Sequence, residues 1–477
     1  MAATESGPTL ASALTYALLL QLSVTWLAAF AAFVVDRSRV PLTVYLVIWM
    51  LIVNLVIDRV FPTDHIYRTA ELPDDAPTRA VPAQLLDDAR PAIVVAASGG
   101  GIQAAAWTSR VLVGLQQSVP EFASHLRVIS AVSGGSAGVM NFLAALPECG
   151  PTPPTSGNAF DPDLASQESS LHAVGWGLVF KDLPRTIAPV FSNPYVDRGS
   201  VLEDAWKREE RLKASSPSTA ALLSSWRRNV ADRRCPGVLY NAMAAETGEP
   251  LLFSTMELPP TLQHFDFYRR YQSRDVPVPT AARLSAGFPY VAPASRADRD
   301  DDIGTYSHIV DGGYYDNYGV NTLVAWLHAA LNDVPLPLPQ QRFLVLEICD
   351  TARCSSAESA MTAGGPRRAW PYQVVAPLYA LLATRETGQR VNNRSAIDLL
   401  KKYWERRNVC IESRAIPFSG EPGPLSWHLT ESQKAAIRDT WRSVEGDVAR
   451  VVNTFLSGER ATDVPNQACQ SRVQDVP

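Results

Sequence analysis

The stretch Ser98-Gly99-Gly100-Gly101-Ile102-Gln103-Ala104 constrains this chain more than any other. It follows the apolar run 92–97 and precedes Ala105, Ala106 and Trp107, with Val111, Leu112 and Leu115 continuing at helical spacing. That pattern predicts a strand, a glycine loop and a helix. Three consecutive glycines at a helix start leave backbone N–H groups uncovered, so a ligand can approach them closely. Such a loop holds an anion, either a bound phosphate or an oxyanion formed during acyl transfer.

The strand–loop–helix order repeats. Residues 126–132 read as a strand running into Ser133-Gly134-Gly135-Ser136-Ala137-Gly138, after which Val139, Met140, Phe142, Leu143 and Leu146 keep helical spacing. Further strands are expected at 237–243, 251–254, 309–310, 342–348 and 409–416. Helices are expected at 280–287, 320–331, 374–407 and 431–455. Alternation of this kind predicts an α/β sheet covered by helices on both faces. No internal repeat is present.

The 477 residues are enough for one large domain with appendages, and 46% apolar against 19% charged content permits a substantial core. A net charge of −5, with no interleaved basic and aromatic stripe, gives no footprint for nucleic acid. The six cysteines contain no C-x-x-C, which argues against a zinc ribbon. Cys349 and Cys354 are close enough in sequence to pair, and the even count leaves open an oxidising compartment or scattered thiols.

Residues 10–35 and 40–57 carry no charge and are separated by Asp36-Arg37-Ser38-Arg39. Runs of this length cross a bilayer as helices, so residues 1–60 are expected to form a membrane hairpin. A cleaved signal peptide fits badly, because no Lys or Arg precedes Leu10. Arg37 and Arg39 in the turn balance Arg59 and Arg68 beyond the second run, so the positive-inside count is a tie. The remaining plan is a Pro/Asp-rich linker at 61–90, a catalytic domain at 91–457 with insertions near 150–170, 214–220 and 351–370, and a polar tail at 458–477.

The residues that carry chemistry follow the same order. Gly134-x-Ser136-x-Gly138 between a strand and a helix fits a nucleophile elbow, in which small residues flank a serine presented at a helix start. The glycine loop also reads as the dinucleotide pattern Gly99-x-Gly101-x-x-Ala104. However, the next clear strand does not end in the acidic residue that a ribose requires. None of the seven histidines has a catalytic setting; His308 lies near a strand end and His428 near a helix start. The conspicuous base is Asp311 in Val310-Asp311-Gly312-Gly313-Tyr314, an acid at a strand end before two glycines.

Glycine loop, serine elbow and Asp-Gly-Gly in that order resemble the patatin-like phospholipase family. Residues 197–199 with Leu202, Glu203 and Trp206, residues 285–289, and residues 424–427 are similar to further features of its bacterial members. The resemblance covers roughly residues 91–455 and leaves the hairpin outside. It implies a three-layer α/β/α sheet with inserted helices. It further implies a Ser136 nucleophile, an Asp311 base and an oxyanion hole at Gly99, Gly100 and Gly101, with Gly134, Gly138, Gly312 and Gly313 in support.

Neither metal nor organic cofactor is implied. A carboxylate with an ordinary pKa of about 3.9 becomes a useful base when desolvated and bonded directly to the hydroxyl. The motif usually carries Arg or Lys where this chain has Gln103, which makes Gln103 the candidate substrate contact. The expectation is therefore a lipid acyl hydrolase, held in the bacterial inner membrane by residues 10–57 and cleaving phospholipid or lysophospholipid esters. A neutral-ester or triacylglycerol lipase or acyltransferase of the same fold, or a catalytically silent membrane scaffold, is the alternative.

Overall fold

The computed structural model describes residues 12–52, 63–149, 160–207, 221–334, 341–351 and 370–458, apart from short gaps at 38, 87–89, 188, 289–290, 300–306, 422 and 424. Eleven strands are found: β1 (His65–Tyr67), β2 (Ala70–Glu71), β3 (Ala92–Ala97), β4 (Leu126–Val132), β5 (Gly237–Ala244), β6 (Pro250–Ser254), β7 (Arg274–Asp275), β8 (Ser295–Ala297), β9 (Ile309–Asp311), β10 (Gln341–Cys349) and β11 (Val409–Pro417). Nine of them make one sheet in the order β1-β8-β9-β5-β4-β3-β10-β11, with β6 on β5. The centre, from β5 to β11, is parallel. Every residue of β3 and of β4 is buried, as expected for parallel strands covered on both faces. The result is a mixed α/β fold consistent with an α/β/α arrangement.

Helices Gly101–Ser118 and Gly134–Ala145 pack against each other beside β3 and β4. They meet backbone to backbone. A Cβ on residue 134 would stand 1.9 Å from the Gly101 carbonyl oxygen, and one on residue 138 would stand 2.4 Å from that of Ala105. Helix Glu431–Ser457 closes this layer, its Trp441 stacking edge-on against Trp107. Trp107 in turn donates from Nε1 to the Ile416 carbonyl of β11.

The expected 61–90 linker is in part sheet. Strand β1 pairs with β8, β2 with β7, and Leu85 and Leu86 are buried in the core. Ile66 and Tyr67 supply the apolar contacts that the flanking Pro and Asp residues obscured. Within the expected 150–170 insertion, helix Pro162–Gln167 packs on Gly101–Ser118. Ser109 donates to the Pro162 carbonyl and Arg110 pairs with Asp163 at 3.2 Å. The insertions at 214–220 and 352–369 and the tail at 459–477 lie outside the described residues.

Helix Ala13–Asp36 is long and apolar enough to cross a membrane. Its foot is fixed to the globular part. Tyr16 is buried against Phe180 and Gly175, and the Ala13 N–H donates to His172 Nδ1 at 3.1 Å. The second apolar run is helical over Leu42–Ile52, and its remainder lies outside the described residues. Cys149 and Cys235 form a disulfide between the end of the 134–145 segment and β5. Cys349 and Cys410 are each disulfide-bonded but not to one another, since the register sets Cys349 beside Pro417 and Cys410 beside Arg342, and none of the described cysteines is a free thiol.

The close packing makes a prediction. Gly134→Ala and Gly138→Ala must displace backbone, and each is expected to destabilise by about 3 kcal/mol or more. Gly446→Ala, in open space on the exposed face of helix Glu431–Ser457, is expected to stabilise by about 1 kcal/mol. Denaturant unfolding of the three variants measures this directly.

Candidate active site

The sheet brings the chemistry to one edge. Register pairs Val132 with Asn241 and Ala242 with Asp311, so the first residue after β4 and the last residue of β9 are neighbours. That first residue is Ser133. Its backbone stands at φ 52°, ψ −126°, a strained conformation for a residue other than glycine and the one a sharp strand-to-helix elbow requires. Its Oγ–H donates to Asp311 Oδ2 at 2.7 Å. The other carboxylate oxygen, Oδ1, accepts from the Gly313 N–H at 2.7 Å.

The structure therefore pairs Asp311 with Ser133 and not with Ser136. Ser136 lies three residues further on, fully buried, with its Oγ on Ser285 Oγ at 2.8 Å. The G-x-S-x-G spacing has another cause. Gly134 and Gly138 face the glycine loop and helix Gly101–Ser118, where a side chain has no room, and Ser136 falls between them on the far side. The position of Ser133 directly after the apolar strand is the sequence signal that marks the elbow.

Ser285 opens the 285–289 stretch noted in the sequence, where no role was assigned to it. Its hydroxyl accepts from the Ser133 N–H at 3.2 Å and donates to the Asn241 carbonyl, while its own carbonyl accepts from the Gly312 N–H at 3.1 Å. One small buried residue thus ties the elbow to the Asp311 turn.

The glycine loop lies beside the elbow as expected. Gly100 (φ 149°) and Gly101 (φ 62°) adopt conformations that favour glycine. The Gly99 N–H is taken by the Asn317 carbonyl at 2.8 Å and that of Ile102 by the Ser426 carbonyl at 3.0 Å. The N–H groups of Gly100 and Gly101 have no acceptor among the described residues. Gly99 is therefore spent on the scaffold, and two donors of the three remain. Both, with Ser133 and Asp311, line a cavity of about 500 Å³ whose other walls include Phe288, Val291, Leu425 and Trp427.

Gln103 does not reach this cavity. It is buried; its Nε2 donates to the Asp350 carbonyl at 2.9 Å and its Oε1 accepts from the Gly423 N–H. Both ends of the amide are hydrogen-bonded in pinning two loops. The single basic side chain among the described lining residues is Arg385, from helix Trp370–Glu405. It donates to the Gly313 carbonyl and lies over the Tyr314 ring at 5.0 Å. Gln389, one turn on, donates to the Tyr315 carbonyl at 2.8 Å, so this helix clamps the turn that carries Asp311.

Burial dominates the electrostatics. It pushes the Asp311 carboxyl up to about 6, against the lowering effect of the Ser133 hydroxyl, the Gly313 N–H and the Arg385 charge. The cavity lining contains no histidine among the described residues. His308 is held by Glu246 at 2.6 Å, and His428 by Ser169 at 3.1 Å. Also among the described residues, no group of three or more His, Cys, Asp or Glu side chains is placed to hold a metal.

No protein-family model matches the chain, and no curated protein matches it. Among solved structures it is similar to VipD from Legionella pneumophila, at 12% identity and TM-score 0.29 over 81% of this chain and 70% of that one. It is also similar to ExoU of the Pseudomonas aeruginosa type III secretion system, solved with SpcU, at 14% identity and TM-score 0.23 over 84% and 72%. A second structure of that complex gives 16% identity and TM-score 0.26 over 82% and 67%. At these scores the likeness carries no argument, and the functional reading rests on the site.

A raised carboxyl pKa has a checkable sign. The native state binds the Asp311 proton more tightly than the unfolded chain, so the stability this proton contributes is lost as pH rises from the ordinary carboxylate value, about 3.9, through about 6, and is constant above that. Asp311→Asn is expected to unfold at the same or a higher temperature than the parent at neutral pH and no longer to show that dependence. Carboxyl NMR of the parent is expected to show one titration near 6 that the variant lacks.

Proposed function

We propose that the chain is a membrane-anchored serine acyl hydrolase of patatin-like type, acting on lipid esters through an acyl-enzyme, with Ser133 as nucleophile and Asp311 as base. The observation that carries this reading is the 2.7 Å Ser133–Asp311 hydrogen bond, made by a serine held in a strained elbow beside two unpaired backbone N–H groups. Ser133 Oγ attacks the ester carbonyl as its proton passes to Asp311 Oδ2. The carbonyl oxygen takes up the negative charge against the Gly100 and Gly101 N–H groups, donors typically worth about 3 kcal/mol each in the transition state. Collapse expels the alcohol, which takes the proton from Asp311. Water then attacks the acyl carbon, gives its proton to Asp311, and Ser133 leaves re-protonated with release of the fatty acid. The ionised carboxylate is required, so kcat/KM falls as pH drops through about 6.

The cavity supports a lipid substrate. Phe288, Val291, Leu425 and Trp427 give an acyl chain an apolar wall, and Arg385 takes the headgroup role that Gln103 cannot fill. The membrane helix stands close by. Trp427 accepts through its carbonyl from Ser170 and Leu171, at the start of the helix whose His172 holds Ala13. The paired cysteines support a catalytic domain on the oxidising side of the membrane.

Labelling with a fluorophosphonate probe tests the chemistry. The parent and Ser136→Ala are expected to label, and Ser133→Ala to lose the label. Labelling lost with Ser136→Ala and kept with Ser133→Ala reverses the assignment, and an unreactive parent removes the hydrolase reading. Topology is tested separately by alkylating native membranes with a thiol reagent. No cysteine of the denatured protein is expected to react before reduction, and reaction without reduction would place the domain on the reducing side.

A further inference from the structure

On the other side of helix Trp370–Glu405 from the catalytic turn, Arg390, Arg394 and Lys401 rim a second cavity of about 240 Å³. Its floor is the β10–β11 pair, where Glu347 stands beside Ala415 in register and Ser413 follows on the same face. Ala415 and Ser413 are small, and this leaves the space beneath the helix. Asp398 completes the charged lining, and Tyr318 is shared with the catalytic cavity.

Three cations and two carboxylates thus surround one small space. Among the described residues none of the five is within ion-pairing distance of another. Lys401 instead donates to Ser413 at 2.7 Å. The Glu347 side chain is half-buried and has no hydrogen-bond partner among the described residues. Five charges of both signs normally collapse into pairs when they share a cleft. Held apart around a cavity, they leave Arg390 and Arg394, one helical turn apart, and Lys401 lining one common space. Guanidinium forks suit the oxygens of a phosphate, and cations are in excess over carboxylates.

We propose that this cavity is a binding site for a phosphomonoester, held by Arg390, Arg394 and Lys401, distinct from the Ser133–Asp311 cavity. Burial pushes the Glu347 carboxyl up to about 7; its ionised form opposes the ligand, and its neutral form donates to a phosphate oxygen. Occupancy is confined to the face of the helix opposite Arg385 and Gln389.

The test is calorimetric titration of the full chain in detergent with glycerol 3-phosphate, with glycerol as the neutral control. Saturable binding of the phosphate alone is expected. Arg390→Gln and Arg394→Gln should each weaken it about tenfold or more, and Glu347→Gln should tighten it by removing a like charge. Arg385→Gln and Ser133→Ala should leave it unchanged. No saturable binding to the parent, binding that survives both rim substitutions, or binding lost with Arg385→Gln overturns the proposal. Arg394 is exposed, so its substitution tests the site without endangering the fold. Vesicles containing phosphatidate, compared with glycerol 3-phosphate in solution, assign the phosphomonoester to a lipid headgroup or to a free metabolite. Capture of the vesicles that survives Arg394→Gln counts against the site.

Discussion

The contact on which the site depends is backbone against backbone. The first turn of helix Gly134–Ala145 lies directly on the loop that follows β3, with no side chain between them. The contact places the strained elbow and the Gly100 and Gly101 N–H groups on the wall of one cavity. Because β3 and β4 are adjacent parallel strands, both loops leave the same edge of the sheet. A side chain at residue 134 would separate Ser133 from the Gly100 and Gly101 N–H groups even if each kept its own conformation.

This packing also explains how far the site was legible. The three-glycine loop, Asp311 and the order of strands and helices were readable, because each is a local signal of period or of punctuation. Ser133 was not, because glycines serve two purposes within six residues. Those required by interhelical contact imitate those expected around an elbow, so Ser136 between them fits the elbow pattern, while the contact to Asp311 is made by Ser133. Gln103 failed for a different reason. Its partners, the Asp350 carbonyl and the Gly423 N–H, are hundreds of residues away in sequence, and only the assembled fold shows that the amide is already satisfied. Strands β1 and β2 were missed because two or three residues are too few to show alternation among prolines.

Asp311 shows what the arrangement costs. A carboxyl removed from water resists ionisation, yet a base for a serine hydroxyl must be ionised. The fold offsets part of the penalty with one hydroxyl, one backbone N–H and one distant guanidinium. That leaves the group more basic than a surface aspartate without making it neutral at physiological pH. Full compensation would return the carboxyl to its ordinary weakness as a base, and none would leave it protonated. Ser133 and Asp311 are in direct contact, with no side chain between them.

Helix Trp370–Glu405 then sets the charge of the site from outside the motifs. Gln389 and Arg385 grip the carbonyls of the turn after Asp311, so this carboxylate is seated by a helix that contributes no residue to the three motifs. Arg390 follows Gln389 directly in the chain and faces the other way, into the second cavity. A ligand gathered by Arg390, Arg394 and Lys401 would bear on the same rigid element that positions Asp311. Displacement of that element alters the Gly313 contacts before it alters any atom of the elbow. Coupling between the two cavities would therefore act on Asp311 and leave Ser133 and the Gly100 and Gly101 N–H groups, which are fixed by the glycine packing, in place.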